Sequence, residues 1–312
     1  MTGGVGAAGP GARGPARPVV VIGNFDGVHL GHQHLLSVAR QARLDGELVA
    51  VTFEPHTLAV LRPDLAPRRL TSPGRKQELL AKAGVDRTVV VPFTHDTTTW
   101  PPELFIERVL QPLDPAAVVV GEGFRFGHRA SGNATTLAAA GFDVREVDLT
   151  GVVVHGHQAP VSSSSIRYAL DAGDVESAAA MLGRPHRVDG TVIRGDQRGR
   201  ALLGSPTANL PVDPAEATPA DGVYAGWFTR LDPLTEGRQP AAISVGSNPT
   251  FDGVQRRVES YVLDRDDLML YGVLVAVEFT VRIRGQVNFD SVEALATQMR
   301  ADVDEIRTLL LG

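Results

Sequence analysis

The chain of 312 residues contains no cysteine. That rules out disulfides and thiolate metal centres, and it fits a reducing compartment such as the cytoplasm. No apolar run approaches the length needed to span a bilayer, so a membrane-embedded chain is not expected. Positive charge is not in excess either. The 30 Lys and Arg against 36 Asp and Glu leave a net charge of −6, which offers no general attraction to nucleic acid. The first residues lack the continuous apolar core of a secretory signal. Rich in Gly, Ala and Pro, residues 1–17 read as a disordered leader. Gly4, Gly6 and Gly9 match the spacing of a dinucleotide fingerprint, but no strand precedes them and no amphipathic helix follows.

What the chain does have is length for two domains and, at 43% hydrophobic, material for sizeable cores. Its organising stretch runs from Val19 to His34. Val19 to Ile22 is a continuous β-branched run, the mark of a strand buried on both faces. Gly23 and Gly27 break it, and Leu35, Leu36, Ala39, Ala42 and Leu44 set up a helical period that Gly46 ends. His29 and His32 therefore flank Gly31 at a strand-to-helix turn. Unpaired backbone N–H groups and the positive end of a helix dipole suit a phosphate there, and imidazoles can donate to charge developing on a phosphoryl oxygen. The same two residues would also serve as a turn cap and a packing group, and spacing alone does not choose.

Glu47 to Phe53 reads as a second strand, completing a β-α-β unit with parallel strands. Alternation continues with a helix near Arg75 to Ala83, a strand at Thr88 to Val91 and a helix from about Pro102 to Leu110. A strand at Ala117 to Val120, a short helix after Thr135 and a strand at Phe142 to Val147 follow. This is the pattern of a doubly wound α/β sheet, whose ligands bind beyond the carboxyl ends of the strands. Two further loops belong to that edge. Gly121 to Arg129 offers close backbone approach at its glycines, flat faces at Phe124 and Phe126, and charge at Arg125 and Arg129. It could equally be an exposed loop with one buried phenylalanine. Val161 to Arg167 sets four serines at a helix start, enough to cap it; with Arg167 they would equally hold a phosphate chain.

After Gly183 the pattern changes. Val188 to Ile193, Val223 to Phe228, Ala241 to Val245, Val258 to Leu263 and Leu274 to Ile283 are short segments at turn-sized intervals, which argues for an antiparallel β-barrel. An amphipathic helix from Ser291 to about Leu310 closes the chain. Pro206 to Asn209 and Asn248 to Phe251 read as turn clusters rich in side-chain oxygens. Glu259 sits in a strand pattern with nothing local to explain a carboxylate, unless it simply faces water. The expected division is 18–186 for the α/β domain and 187–312 for the barrel with its terminal helix.

Gly23-Asn-Phe-Asp-Gly-Val-His29-Leu-Gly-His32, Phe53-Glu-Pro-His56, Val119 to Gly127 and Val161 to Arg167 occur in one order. Pro206-Thr-Ala-Asn209, Asp221 to Gly226, Val245 to Phe251 and Arg257-Val-Glu259 follow them. In that order, over about Pro18 to Leu310, the sequence resembles the bacterial bifunctional riboflavin kinase/FMN adenylyltransferases, the prokaryotic FAD synthetases. The resemblance implies a Rossmann-like nucleotidylyltransferase domain and a riboflavin-kinase barrel. It implies ATP-dependent phosphorylation of riboflavin to FMN, and adenylylation of FMN to FAD with release of pyrophosphate. His29 and His32 would steady the α-phosphate of ATP while the FMN phosphate attacks it. Gly23, Asn24 and Phe25 would shape the nucleotide pocket, Phe124 would line it, and Ser163, Ser164 and Arg167 would hold phosphates. In the barrel, Thr207 and Asn209 would bind Mg²⁺ and ATP phosphates, and Glu259 would take the proton from the 5′-hydroxyl of riboflavin. The implied partners are ATP, riboflavin and FMN in the cytoplasm, with neither nucleic acid nor membrane; whether the chain is a homo-oligomer is left open.

The chain departs from the family pattern at Gly123 (usually Asn or Asp), Ser164 (Thr) and Thr57 (Pro). It departs again across Arg200 to Thr207, where one residue is extra and an aromatic is missing. These departures keep three alternatives in view: an adenylyltransferase-only paralogue, a relative with altered flavin specificity, and a non-catalytic flavin- or nucleotide-binding protein. The longer loop at Ala201 to Ser205 also predicts a slowed, Glu259-dependent kinase beside an intact adenylylation step. A zinc site from His29, His32, His155 and His157 has no carboxylate or thiolate motif to support it.

Overall fold

Strand β1 (Val19–Ile22) can sit only at the centre of a sheet, because all four side chains are apolar and all four are buried. In the computed structural model it does. The described residues are 16–43, 45–148, 151–154, 156–194, 207–234, 237–250, 253–265 and 269–312, without the side chains of 152, 154, 157–159, 248–250 and 253–255. By contacts they form two compact units, one from the described residues of 16–24, 33–61 and 77–148, the other from those of 25–32, 62–76 and 151–312.

The first unit is built on a parallel five-stranded sheet of order β3-β2-β1-β4-β5, with β2 Leu48–Glu54, β3 Arg87–Pro92, β4 Ala117–Gly121 and β5 Val144–Val147. Strand order reverses between β1 and β4. Their carboxyl ends, Gly23–Asn24 and Gly121 onward, therefore open beside the crevice where doubly wound sheets bind ligands. Helices α1 (Leu30–Ala42), α2 (Thr57–Leu61), α3 (Pro73–Lys82), α4 (Pro102–Phe105) and α5 (Ala134–Ala139) lie in the connections. The helix expected from Pro102 to Leu110 is α-helical only to Phe105; Ile106–Leu110 is wound as a π-helix. Phe105, Ile106, Val109 and Leu110 are all buried across this change of winding.

The second unit contains a hairpin, β6 (Gly151–Val154) and β7 (His157–Pro160), then α6 (Ser163–Ala172) and α7 (Val175–Leu182). Six antiparallel strands follow in the order β8-β13-β10-β11-β12-β9: β8 His186–Thr191, β9 Ala208–Pro211, β10 Gly222–Arg230, β11 Gln239–Thr250, β12 Gly253–Val262 and β13 Leu274–Gly285. An antiparallel bridge from Ile193 N to Asn209 O, 2.9 Å, nearly closes this sheet into a barrel and so covers its edges. Tyr224, Phe228, Ile243, Val258 and Phe279 fill the interior, and Ile166, Leu170, Val175 and Leu182 of α6 and α7 share the same core. Helix α8 (Val292–Leu311) starts at Ser291, whose side chain accepts from Ala294 N.

Two turn assignments are corrected. Asn209 lies within β9, and Asn248 to Thr250 continue β11 opposite β12, because cross-strand pairing overrides the local turn preference of Asn and Pro. Helix α7 was legible but passed over: Asp174 caps it, accepting from Ser177 N, and Gly183 ends it in the left-handed region. The leader up to residue 15, Ala201 to Ser205, Pro206, Phe251 and His155 lie outside the described residues. No described helix is long and apolar enough to cross a membrane.

His186 opens β8 at 1% exposure, with Nε2 donating to Ala217 O at 2.9 Å. Burial pushes its pKa down to about 4, with the charge of Arg184 acting in the same direction and the Ala217 hydrogen bond opposing it. A histidine whose folded value lies below its unfolded value of about 6.5 is held neutral by the fold. Its stabilisation is whole above pH 6.5 and is lost as pH falls toward 4, amounting to about 3 kcal/mol. His186→Gln should lower Tm at pH 7 but flatten its decline between pH 6.5 and 4. Calorimetry across that range checks it, and an unaltered decline would remove His186 from the acid response.

Candidate functional site

Within the first unit, a cavity of about 490 Å³ opens at the carboxyl ends of β1 and β4. Phe53, Phe93, Trp100, Phe105, Phe124 and Phe126 wall it, with Gly23 and Asn24 at one side. The rings of Phe124 and Phe126 are stacked, 5.5 Å between centroids and 15° apart. A cavity walled by flat aromatic faces, two of them already stacked on one another, suits a planar heterocycle. Thr52 Oγ1 donates to Asn24 O at 3.1 Å and fixes the loop after β1. Thr57, a departure from the family pattern, accepts from Asn24 Nδ2 at 3.5 Å. Gly123 has φ +71° in the turn closed by Phe124 N and Gly121 O, so glycine relieves backbone strain there while giving up a side-chain contact. Phe93, Trp100 and Phe105 were not singled out in the sequence; an aromatic just past the end of a strand was the available signal.

Within the second unit, the turn entering α1 stacks His29 on His32, ring centroids 3.7 Å apart and 20° between planes. Phe25 is fully buried with its ring centroid 5.3 Å from that of His32 in a T-shaped contact, and does not line the aromatic cavity. His32 N donates to His29 Nδ1 at 3.4 Å, which leaves the His29 proton on Nε2 in the neutral ring. A Cβ on Gly31 would stand 3.2 Å from the His29 ring, so the residue between the histidines must be small. Burial lowers the pKa of His29 to about 4, and the charges of Arg184 and Arg167 push the same way. Desolvation, then the charges of His29 and Lys76, hold His32 well below its ordinary value. Both imidazoles are therefore neutral at pH 7 and can donate an N–H in a cationic surrounding.

The other residues expected here are placed more precisely than spacing allowed. Ser162, not Ser163 or Ser164, caps α6, accepting from Ser165 N at 3.0 Å. Ser163 Oγ donates instead to Asp26 O at 2.9 Å, and Ser164 is exposed. Arg167 donates through Nε to Arg68 O at 2.6 Å and through Nη2 to the Asp26 carboxylate. Those bonds use two of the five donors on its guanidinium. Asp26, which sequence reasoning missed, is 6% exposed and also accepts from Leu70 N at 3.0 Å and Thr71 N at 3.3 Å.

The barrel carries a separate site. β12 sets Glu259 opposite Asn209 of β9 on one side and Ser244 of β11 on the other. Thr207 Oγ1 donates to Glu259 Oε1, and Asn209 Nδ2 donates to Thr207 Oγ1 at 3.4 Å. Thr207 and Glu259 face a cavity of about 580 Å³ walled by Val223, Ile243, Tyr261, Phe289 and Val303. A hydroxyl, an amide and a carboxylate in one chain of hydrogen bonds form a hard oxygen donor set, which fits Mg²⁺ and not a thiophilic metal. Among the described residues no group of three or more His, Cys, Asp or Glu could hold a metal ion, and His155 of the zinc alternative lies outside them.

The FAD synthetase family matches residues 13–165, and the riboflavin kinase family matches residues 182–310. The bifunctional riboflavin kinase/FMN adenylyltransferase of Listeria monocytogenes is 36% identical over 298 residues, covering 93% of this chain and 91% of the relative. That of Escherichia coli K12 is 33% identical over 288 residues, covering 91% and 90%. A crystal structure described as a macrolide-efflux protein from Streptococcus pneumoniae superposes with a TM-score of 0.82 at 32% identity, covering 95% of both chains.

Asp26→Ala should remove the hydrogen-bonded carboxylate partner of the largely buried Arg167 guanidinium and destabilise the second unit by about 3 kcal/mol. Denaturant titration of the full chain measures it. A loss under about 1 kcal/mol would show that the carboxylate does not organise the turn.

Proposed function

The chain belongs to the family of bifunctional riboflavin kinase/FMN adenylyltransferases, and from that premise we propose which of its residues do each part of the work. The enzyme phosphorylates riboflavin with ATP to give FMN, and adenylylates FMN with a second ATP to give FAD and pyrophosphate. For the kinase step, the observation that carries the assignment is the hydrogen-bonded chain Asn209–Thr207–Glu259 at the wall of the barrel cavity. The 5′-hydroxyl of riboflavin is a weak nucleophile until its proton is accepted, and Glu259 is the carboxylate that accepts it. The hydroxyl oxygen then bonds to the γ-phosphorus of ATP as the bond to ADP breaks. Thr207 and Asn209 would hold Mg²⁺ with the ATP phosphates, where the ion neutralises their charge.

For the adenylyl step, the FMN phosphate is already ionised at neutral pH and needs no base. Its oxygen attacks the α-phosphorus of ATP, and pyrophosphate leaves. His29 and His32, both neutral, donate to the oxygens on which charge develops. Ser164 and the spare donors of Arg167 hold phosphates, and Ser163 joins them by turning its hydroxyl away from Asp26 O. Gly23, Asn24 and Phe124 take a planar ring in the aromatic cavity, while Phe25 acts by packing against His32. We keep the functional division at 186/187, where the sequence pattern changes, even though α6 and α7 share their core with the barrel that follows. A cysteine-free chain of this activity works in the cytoplasm, on small molecules and not on nucleic acid; association into a homo-oligomer is read from sedimentation.

Incubation with riboflavin, ATP and Mg²⁺, followed by separation of riboflavin, FMN and FAD, tests both halves. Glu259→Gln keeps the shape but cannot take the proton, so FMN formation should fall about a hundredfold or more while FMN is still converted to FAD. Equal FMN formation by parent and variant would overturn the role of Glu259. His32→Ala should lower adenylylation by roughly two to three orders of magnitude and leave FMN formation unchanged. FAD formed from FMN at the parent rate would take His32 out of the mechanism.

A further inference from the structure

The turn that delivers the histidine pair is strained. Phe25 (φ 50°) and Val28 (φ 39°) both occupy the left-handed region without being glycine. For a bulky or β-branched residue this is an outlier, costing on the order of 1–3 kcal/mol, and it persists only where neighbours impose it. One neighbour is Asp26, fixed by Leu70, Thr71 and Arg167. Gly27 N also donates to Thr71 Oγ1 at 3.3 Å and Val28 N to Phe25 O at 3.1 Å, which leaves the Gly27 and Val28 carbonyls to the other neighbour, Arg184, in the short link between α7 and β8. Its Nη2 donates to Gly27 O at 2.5 Å, and its Nη1 donates to Val28 O at 3.3 Å and to Leu182 O at 3.1 Å. The Val28 carbonyl belongs to the peptide that leads into His29. Arg184 is thus tied to α7 by one carbonyl and grips the strained turn by two others.

We infer that Arg184 is a positioning residue for adenylyl transfer: by holding the Gly27 and Val28 carbonyls it sets the peptide that aims the His29 ring. The inference rests on the reading of His29 and His32 as donors to the α-phosphate. Released from Arg184, Val28 can relax out of the left-handed region and rotate the Val28–His29 peptide, carrying the His29 ring off its stack with His32. A misplacement of about 1 Å is enough for a loss of about a hundredfold. The planar fork matters as well as the charge, since the point charge of a lysine ammonium cannot reproduce carbonyl contacts made from two guanidinium nitrogens. Arg184 keeps its proton at neutral pH even though burial, reinforced by the charge of Arg75, lowers its pKa to about 10.

The test uses the full chain with Arg184→Lys, Arg184→Met and, alongside them, His32→Ala. Each is measured for FMN adenylylation, riboflavin phosphorylation and Tm. The expected result is a fall in adenylylation kcat of about a hundredfold for Arg184→Met and about tenfold for Arg184→Lys. The KM values for ATP and FMN should stay close to the parent, and the kinase rate should be unchanged. That split separates positioning from a general structural role, which would lower both activities together with Tm; such a joint fall overturns the inference. Should His32→Ala lose the adenylyl reaction while both Arg184 variants keep it, the inference fails and the histidine reading stands. Should His32→Ala keep the parent rate, the histidine reading falls and the inference with it.

Discussion

A carboxylate can remain buried only if donors surround it, and the second unit is assembled around one that is surrounded. Asp26 accepts from the backbone of Leu70 and Thr71 and from the Arg167 guanidinium. The residue carrying that carboxylate lies between Phe25 and Val28, both held at positive φ. The same contacts that satisfy the charge therefore impose the turn, and the turn brings two neutral imidazoles face to face. The strain and the electrostatics of this turn follow from one largely buried ion pair and its accessory hydrogen bonds.

Residues 68 to 71 face two ways. Leu70 and Thr71 hold Asp26, while Arg69 is bridged to the loop before β10, donating from N to Ala215 O at 2.7 Å and accepting at O from Ala217 N at 2.8 Å. Leu70 itself is buried in the core that the barrel shares with α6 and α7. The histidine turn and the barrel thus belong to one packed unit, although they come from opposite ends of the chain. Boundaries drawn from periodicity follow the order of elements along the sequence; compactness follows which apolar faces meet.

In the barrel, a glutamate inside a strand pattern looked locally unmotivated. Its neighbours supply the motive, because antiparallel pairing puts Asn209 and Ser244 on either side of it and the Thr207 hydroxyl on its carboxylate. Strand pairing is a good means of fixing such a group. Its register is set by the apolar side chains on the barrel's inner face, so the polar residues at the site are placed without needing contacts of their own to define the fold.

The parallel sheet, the antiparallel barrel, the terminal helix and the motif residues at the strand ends were legible in the sequence, because periodicity, turn chemistry and strand-to-helix junctions are local properties. Val19 to Ile22 could only be a buried strand, and His29 and His32 could only follow it. Who touches whom was not legible. Thr207 reaches Glu259 across 52 positions, Arg167 reaches Asp26 across 141, and Arg184 reaches Gly27 across 157. No local pattern encodes a contact of that separation. It forms when burial of apolar faces fixes the elements against one another, and only then do desolvation and proximity decide which charges pair, which imidazoles stay neutral and which strained turn is held.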